Sequence, residues 1–587
     1  MKQFQLVFHD RTSFSNAVSS LKKDIDGKKC VVHLFYDQNS KEALLSAAEV
    51  LEAECPHAEW FGCSSNANIE HGRLNESAVS AVFTVFERAD TQFEVLTYPL
   101  SEDDHEALCN DLLEQIDERP WVKGIEILIT IRDMSTTYFC DRLSEMRKDI
   151  SIFGGCAYSR MADPDDVSIF SRKSGLLDSG VVFVLYGGSD LHLWDCHISG
   201  WKPLGQKLTI TRSYKNHIVE FDGVPAYETY YRYLRIDNDE HFYHNTLEFP
   251  ITYDRNGTSI VRVPTGCTEN GELIVTSDVE CGSIAHITYG DPQTILRSIL
   301  DKAKELADFV PDGIMIFDCA SRRTFWGSED IDRESMPFTA LADTAGFYTG
   351  GEFHRIDGSL NQHNVTLVII GMREGEAGQP KKQALLDSFD YSSEHVSMVR
   401  RLANFIDVAS NELEAANQRL ADANSLLTHL VMIDELTGLY NRREIKNRIV
   451  ATAEITNNNE FALIMLDLDH FKSINDSYGH NEGDLVLRSF SDILRLNAQE
   501  ADGSAGRWGG EEFMVLLPNT SEKQAYIIAE KIRTSFESMT FEKSGRHTVS
   551  CGVTVNRPNE TAEETCIRVD HGLYDAKDKG RNRTVIV

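Results

Sequence analysis

Between Pro380 and Gly438 the sequence contains neither glycine nor proline, and that run constrains the rest of the chain most. Inside it Val399, Leu402, Ile406, Ala409, Leu413, Ala416, Leu420, Ala423, Leu427 and Leu430 recur at spacings of three and four, with polar residues between them. A heptad pattern sustained this long predicts a coiled-coil helix with one apolar seam. At ~1.5 Å per residue the seam runs for roughly 50 Å. It needs a partner, most simply the same helix of a second chain; the alternative is an amphipathic helix packed on its own domain. Ala409, Ala416 and Ala423 fill d positions, and each gives up on the order of 1–2 kcal/mol of packing relative to leucine. Such a coil is marginal, so a small change upstream can alter its register. A coiled-coil signalling helix is expected over 381–433, with separate domains on either side.

The chain has 587 residues, too many for one core. Its 92 acidic against 58 basic side chains leave a net charge of −34, which repels nucleic-acid backbones and anionic membranes. No nucleic-acid partner and no membrane insertion are expected. No run approaches the ~20 apolar residues of a membrane span. The first ten residues lack a signal-peptide core, so a cytoplasmic location is expected. The 12 cysteines are scattered singly, without metal-ligand spacing, and read as small buried hydrophobes.

Before the connector, Cys30 to Tyr36, Ala78 to Phe86, Gly124 to Ile131 and Gly180 to Tyr186 read as strands. Lys41 to Ala53 and His105 to Ile116 carry helical periodicity between them, an α/β pattern. Several strands exit on small residues: Gly62-Cys63-Ser64-Ser65, and Gly154-Gly155-Cys156-Ala157. Such loops either admit a ligand or merely turn tightly. A second segment, beginning near His217, carries Phe317-Asp318-Cys319-Ala320-Ser321-Arg322 and Gly346-Phe347-Tyr348-Thr349-Gly350-Gly351-Glu352. Together these motifs resemble the two-part FIST sensory domain, over about residues 25 to 370. The resemblance implies a sensor of small molecules, amino acids among the candidates. It sets an N-terminal part at 25–215 and a C-terminal part at 216–375. Cys63, Ser64, Cys319, Arg322, Tyr348 and Glu352 are the candidate ligand contacts. Arg322 and Glu352 suit a zwitterionic ligand or a structural ion pair equally well.

After the connector, Phe461 to Asp469 is an apolar strand that ends on acids, and a charge at Asp467 needs a partner. Arg507-Trp508-Gly509-Gly510-Glu511-Glu512-Phe513 reads as a tight turn between strands. By itself that turn is either a solvated hairpin tip or a place where glycines admit a ligand beside two carboxylates. Phe471-Lys472-Ser473-Ile474-Asn475-Asp476, Gly479-His480-Asn481-Glu482-Gly483-Asp484 and Lys577-Asp578-Lys579-Gly580-Arg581-Asn582 complete the set. Taken in order, the set resembles a GGDEF-family diguanylate cyclase across 434–587.

The resemblance implies a palm-type α/β fold related to nucleotidyl cyclases, and condensation of two GTP into cyclic di-GMP and two pyrophosphates. Asp467, Glu511 and the Leu468 carbonyl would hold Mg²⁺, two ions per site, with Mn²⁺ the alternative. Glu512 is a further metal or proton-transfer candidate. Asn475 and Asp484 would read the guanine edge, where N1–H and the exocyclic amine both donate. Phe471, Lys472, His480, Gly509, Gly510, Lys577 and Arg581 complete the substrate contacts, the cations neutralising phosphates. Because one domain holds one GTP, two must face each other, and the coil would supply the homodimer. A silent GTP-binding scaffold is the alternative, against which the retained acids speak. The stretch Glu500-Ala501-Asp502-Gly503 lacks the arginine of the family's Arg-x-x-Asp product site, so little product feedback is expected there. No phosphodiesterase segment is expected after the cyclase motifs.

Overall fold

The computed structural model describes residues 1–100, 105–131, 136–159, 166–378, 386, 388, 389, 398–455, 460–558 and 560–587. The chain is a mixed α/β protein of two compact units, Met1–Ser410 and Asn411–Val587.

In the first unit, three six-stranded sheets are each built around one parallel pair. The pairs are Lys29–Tyr36 with Glu59–Ser64, Val122–Ile129 with Ser151–Cys156, and Gly313–Cys319 with Asp343–Thr349. A helix or helices join the strands of each pair, Lys41–Glu54 in the first. These strands are apolar on both faces because both faces are covered. Val32, Leu34 and Tyr36 pack against Leu44, Ala47 and Leu51 of the crossover helix. Val31 and Phe35 point the other way, into a central core that the three sheets share with Phe153, Phe317 and Phe347. Phe35 and Phe347 stack there with centroids 4.5 Å apart, a contact worth about 0.5–1.5 kcal/mol beyond burial.

Strands from both sides of residue 215 share two of these sheets. Asn68–Glu70 pairs with Asp343–Thr349, and Glu352–Ile356 pairs with Ser151–Cys156. A further sheet of eight strands, from Trp201–Tyr214 to Ile284–Gly290, closes over its own core of Ile210, Phe221, Tyr230 and Tyr253.

Met398–Met432 is one helix of 35 residues. Leu402, Ile406, Leu413 and Leu420 of the expected seam are exposed on it, at 39% to 63%. Residues 381–385, 387 and 390–397 of the expected coil, and the side chains of Val399, Leu427 and Leu430, lie outside the described residues.

In the second unit five strands form a sheet in the order Ser504–Gly509, Glu512–Pro518, Phe461–Leu468, Val549–Val555, Thr584–Ile586. Only the last pair is parallel. Helices His480–Glu500 and Glu522–Ser538 cover one face through Phe490, Leu494, Ile532 and Phe536. Arg442–Ile455 and Ala562–Asp578 cover the other through Ile445, Ile449, Val569 and Leu573. Gly506 is required by this packing, since a Cβ there would sit 2.5 Å from the Ile445 Cβ.

Among the described residues no helix is long and apolar enough to cross a membrane.

Candidate functional site

The central strand Phe461–Leu468 is buried along its whole length and delivers Asp467 to its end. Asp467 lies in register with Glu512 on one neighbouring strand and with Ser550 on the other. Its Oδ2 is 2.7 Å from Lys577 Nζ, near the end of the helix Ala562–Asp578. Burial pushes the Asp467 carboxyl up to about 6; Lys577 pulls it down, while Glu511 and Glu512 push it up. Three acids thus gather at one strand end, where Lys577 is paired with Asp467.

The Gly509–Glu512 connection is a tight hairpin with a bulge at Trp508. Gly510 takes φ +53°, which favours glycine, but a Cβ on Gly509 or Gly510 would meet no heavy atom within 4 Å. Packing within the chain therefore does not explain Gly509. The hairpin is anchored from behind by Arg507, whose Nε donates to the Gly510 carbonyl at 2.8 Å while its Nη1 reaches Asp434. Its backbone N–H donates to the Tyr440 carbonyl.

Asn475 and Asp484 sit on adjacent helices, Phe471–Tyr478 and His480–Glu500. A Cβ on Gly483 would stand 2.0 Å from Asn475 Oδ1, so glycine there lets the amide lie against the start of the second helix. Asp484, the next residue, is half-buried, and Lys472 and His480 are exposed. Phe471 belongs to the core, 7% exposed.

Two residues to which the sequence motifs assign no role stand out. Asp469 is buried and accepts from Ser550 Oγ at 2.6 Å, Thr548 Oγ1 at 2.7 Å and the Asn582 N–H at 3.1 Å. Asp434 accepts from the Thr437 hydroxyl and N–H as well as from Arg507. The usable signal for both is the same: an acid inside a motif with no assigned partner.

The six candidate sensor contacts are all buried. Cys63, Cys319 and Glu352 gather around Cys156. Burial pushes the Glu352 carboxyl up to about 8, against hydrogen bonds from Thr349, Cys319 and the Thr366 N–H. Arg322 is close enough to act electrostatically on Glu352 and Cys319, but its hydrogen bonds go to other groups. Its Nε donates to Glu334 at 2.9 Å and its Nη1 donates to the carbonyls of Ile198, Ser199 and Val365. Its ion-pair partners are therefore Glu334 and, at 3.6 Å, Asp318, and not Glu352. Tyr348, in register with Asp318, lies near the same Glu334. Ser64 exchanges hydrogen bonds with Ser168, accepting its N–H on Oγ and donating its own N–H to the carbonyl.

Residues 431–583 match the family described as diguanylate cyclase, GGDEF domain; 30–224 match the FIST N domain and 226–355 the FIST C domain. The chain thus joins a two-part FIST region to a GGDEF domain. Its C-terminal part is 40% identical over 166 residues to diguanylate cyclase DgcM of Escherichia coli strain K12, covering 27% of this chain and 39% of that one. It is 36% identical over 197 residues to diguanylate cyclase VdcA of Vibrio cholerae, covering 32% and 56%. The chain thus spans between about two fifths and just over half of these relatives. Among solved structures it is similar to the active GGEEF domain of a diguanylate cyclase from Vibrio cholerae, at 33% identity, 25% and 97% coverage and a TM-score of 0.24.

Proposed function

We propose that the chain is a diguanylate cyclase whose rate is set by a small molecule bound to the FIST region. The observation that carries the reading is the meeting of Asp467, Glu511 and Glu512 at one strand end, beside an open glycine hairpin and Lys577. In each half-reaction a 3′-hydroxyl of one GTP attacks the α-phosphate of the other, a P–O bond forms and pyrophosphate leaves. Two such steps close the ring. Catalysis of this kind is mainly positioning and charge stabilisation.

Asn475 and Asp484 orient the guanine, the carboxylate accepting from N1–H and the exocyclic amine. Lys577 and Arg581 neutralise phosphate oxygens, and Lys472 adds positive charge from an exposed position. Among the described residues no three acidic, histidine or cysteine side chains form a ready metal cage. Asp467, Glu511 and the Leu468 carbonyl are nevertheless the hard oxygen donors that suit Mg²⁺ or Mn²⁺, which commonly takes one or two carboxylates and completes its shell with water and phosphate. A divalent ion held there supplies Lewis-acid stabilisation of phosphate charge. Glu512 adds negative charge to that donor set.

The exposed seam of Leu402, Leu413 and Leu420 supports a homodimer in which two such domains face each other. Glu500 pairs with Lys531 where the family's product-site arginine would stand, which supports weak product feedback. Incubation of the full chain with GTP and Mg²⁺, followed by chromatography for cyclic di-GMP, tests the reading. Product from wild type and none from Glu511→Ala is expected; a wild type that binds GTP but forms no product would leave a silent scaffold.

A further inference from the structure

The helix Ala562–Asp578 ends at Lys579 with the Arg581 N–H donating to the Ala576 carbonyl and the Gly580 N–H to Lys577. This is a Schellman closure, and it accounts for the positive φ of Gly580, +106°. It does not account for the next two residues. Arg581 and Asn582 also take positive φ, +62° and +46°, so two consecutive residues with side chains sit in the left-handed region. Such backbone costs free energy and persists only where its surroundings over-determine it.

The surroundings are specific. Asp469 of the central strand's exit accepts the Asn582 N–H at 3.1 Å. The Asn582 side chain is held from the other side by the helix Glu522–Ser538, accepting from Arg533 Nη1 at 2.8 Å and donating to Glu537 Oε1 at 2.8 Å. Asp469 itself is fixed by Ser550 and Thr548. Arg581, between these anchors, is exposed, and among the described residues its guanidinium has no acidic partner. A strained backbone clamped at three points thus carries one unpaired cation. The clamp springs from Asp469, two residues beyond Asp467, while Asp467 itself is bound to Lys577 of the same helix end.

We propose that Asp469 and Asn582 are positioning residues that aim Arg581 at the nucleotide phosphates. The proposal rests on the cyclase reading for its ligand. Neither residue touches substrate; both act through the backbone that carries Arg581.

The test uses the full chain and 3′-deoxy-GTP, which lacks the attacking hydroxyl, so binding is read by calorimetry without turnover. Asn582→Ala and Asp469→Ala should each weaken binding about tenfold, the scale of one charge-assisted hydrogen bond. In an Arg581→Ala background the same changes should cost less than about twofold, because the group they aim is gone. Asp469→Asn should stay within about threefold of wild type, since its amide oxygen can still accept the Asn582 N–H while Ser550 turns to accept from the amide. Asn582→Gly, which adopts positive φ freely, should bind more tightly than Asn582→Ala. In GTP turnover Asn582→Ala should divide its loss between KM and kcat as Arg581→Ala does. Equal losses with and without Arg581, or an Asn582→Gly no better than Asn582→Ala, would overturn the proposal. If the wild type binds 3′-deoxy-GTP yet forms no cyclic di-GMP, the cyclase reading fails while the binding comparison still decides the clamp.

Discussion

Arg507 and Asp434 join the glycine hairpin to the segment that leaves the long helix: Arg507 Nη1 stands 3.3 Å from both carboxylate oxygens of Asp434, while its Nε holds the Gly510 carbonyl. Asp434 lies two residues beyond the last residue of the helix Met398–Met432. One guanidinium therefore ties the candidate catalytic turn to the exit of the connector. Lysine lacks the planar fork that presents two separate nitrogens to these two acceptors.

Arg507→Lys should accordingly lower cyclase turnover at least about tenfold while costing only about 1–2 kcal/mol of stability, the scale of a part-buried hydrogen-bonded charge. Burial pushes the Asp434 carboxyl up, but the Thr437 hydrogen bonds and Arg507 outweigh it and hold the group below the usual carboxylate range. Its contribution to stability is thus complete above about pH 4 and is lost as pH falls through the lowered value. Asp434→Asn should remove that part of the acid sensitivity. Denaturant melts from pH 5 to 3 measure it, and parallel curves for the two proteins would contradict the assignment.

Much of this arrangement was legible in the sequence, for physical reasons. Asp467 declared itself because a charge at the end of an apolar strand needs compensation, and its strand was recognisable because it is buried on both faces. Gly509, Gly510, Glu511 and Glu512 were recognisable as a turn because glycine pairs between apolar runs rarely do anything else. What stayed hidden depends on contacts between distant segments. Asp469 meets Asn582 113 residues later, and no local pattern encodes that meeting. Arg322 was paired in expectation with a ligand or with Glu352. Its partner Glu334 emerges only once the helices Ala320–Asp330 and Asp332–Thr339 are packed. The shared sheets were equally illegible, since a three-residue strand such as Asn68–Glu70 carries too little periodicity to announce a partner near residue 345.

The ion pair between Lys577 and Asp467 has a testable cost. A divalent ion at Asp467 must compete with an ammonium already 2.7 Å away. Lys577→Met should therefore bind Mg²⁺ about threefold to tenfold more tightly in the absence of nucleotide, as expected for loss of a part-exposed pair. The same change should weaken 3′-deoxy-GTP, because the cation is then missing from the phosphates. Calorimetric titration with each ligand separates the two effects, and unchanged Mg²⁺ affinity would show that the pair does not compete.

The long helix invites a change in the opposite direction. Ala409, Ala416 and Ala423 are exposed on it, at the d positions of the proposed seam. Replacing all three by leucine adds on the order of 1–2 kcal/mol of apolar burial per site in a paired coil. Sedimentation should then show a tighter dimer, and cyclase turnover should become independent of protein concentration over a wider range. A triple variant that sediments as wild type would mean that these positions do not face a partner.

The FIST region should weaken in mild acid, and three histidines say where. His197 on the strand Leu191–Ile198 lies 5.3 Å from His354 and 5.2 Å from His363, ring centre to ring centre. Asp195 accepts from His354 Nε2 at 2.8 Å, and Lys302 and Arg262 add positive charge nearby. Burial, then His354, pushes His197 down to about 4, and burial pushes His363 well below its ordinary value. Both are thus more easily protonated unfolded than folded. The unfolded chain binds the extra protons between about pH 6.5 and 4, so stability is complete above that window and falls as pH descends through it. At pH 5 His197 alone should cost the region about 2 kcal/mol. Amide exchange along Leu191–Ile198, corrected for intrinsic rates, reads the local opening directly. Protection should drop between pH 7 and pH 5 in wild type, and less in His197→Phe, which keeps a ring in the stack without a proton to gain. Equal drops in both proteins would place the acid sensitivity elsewhere.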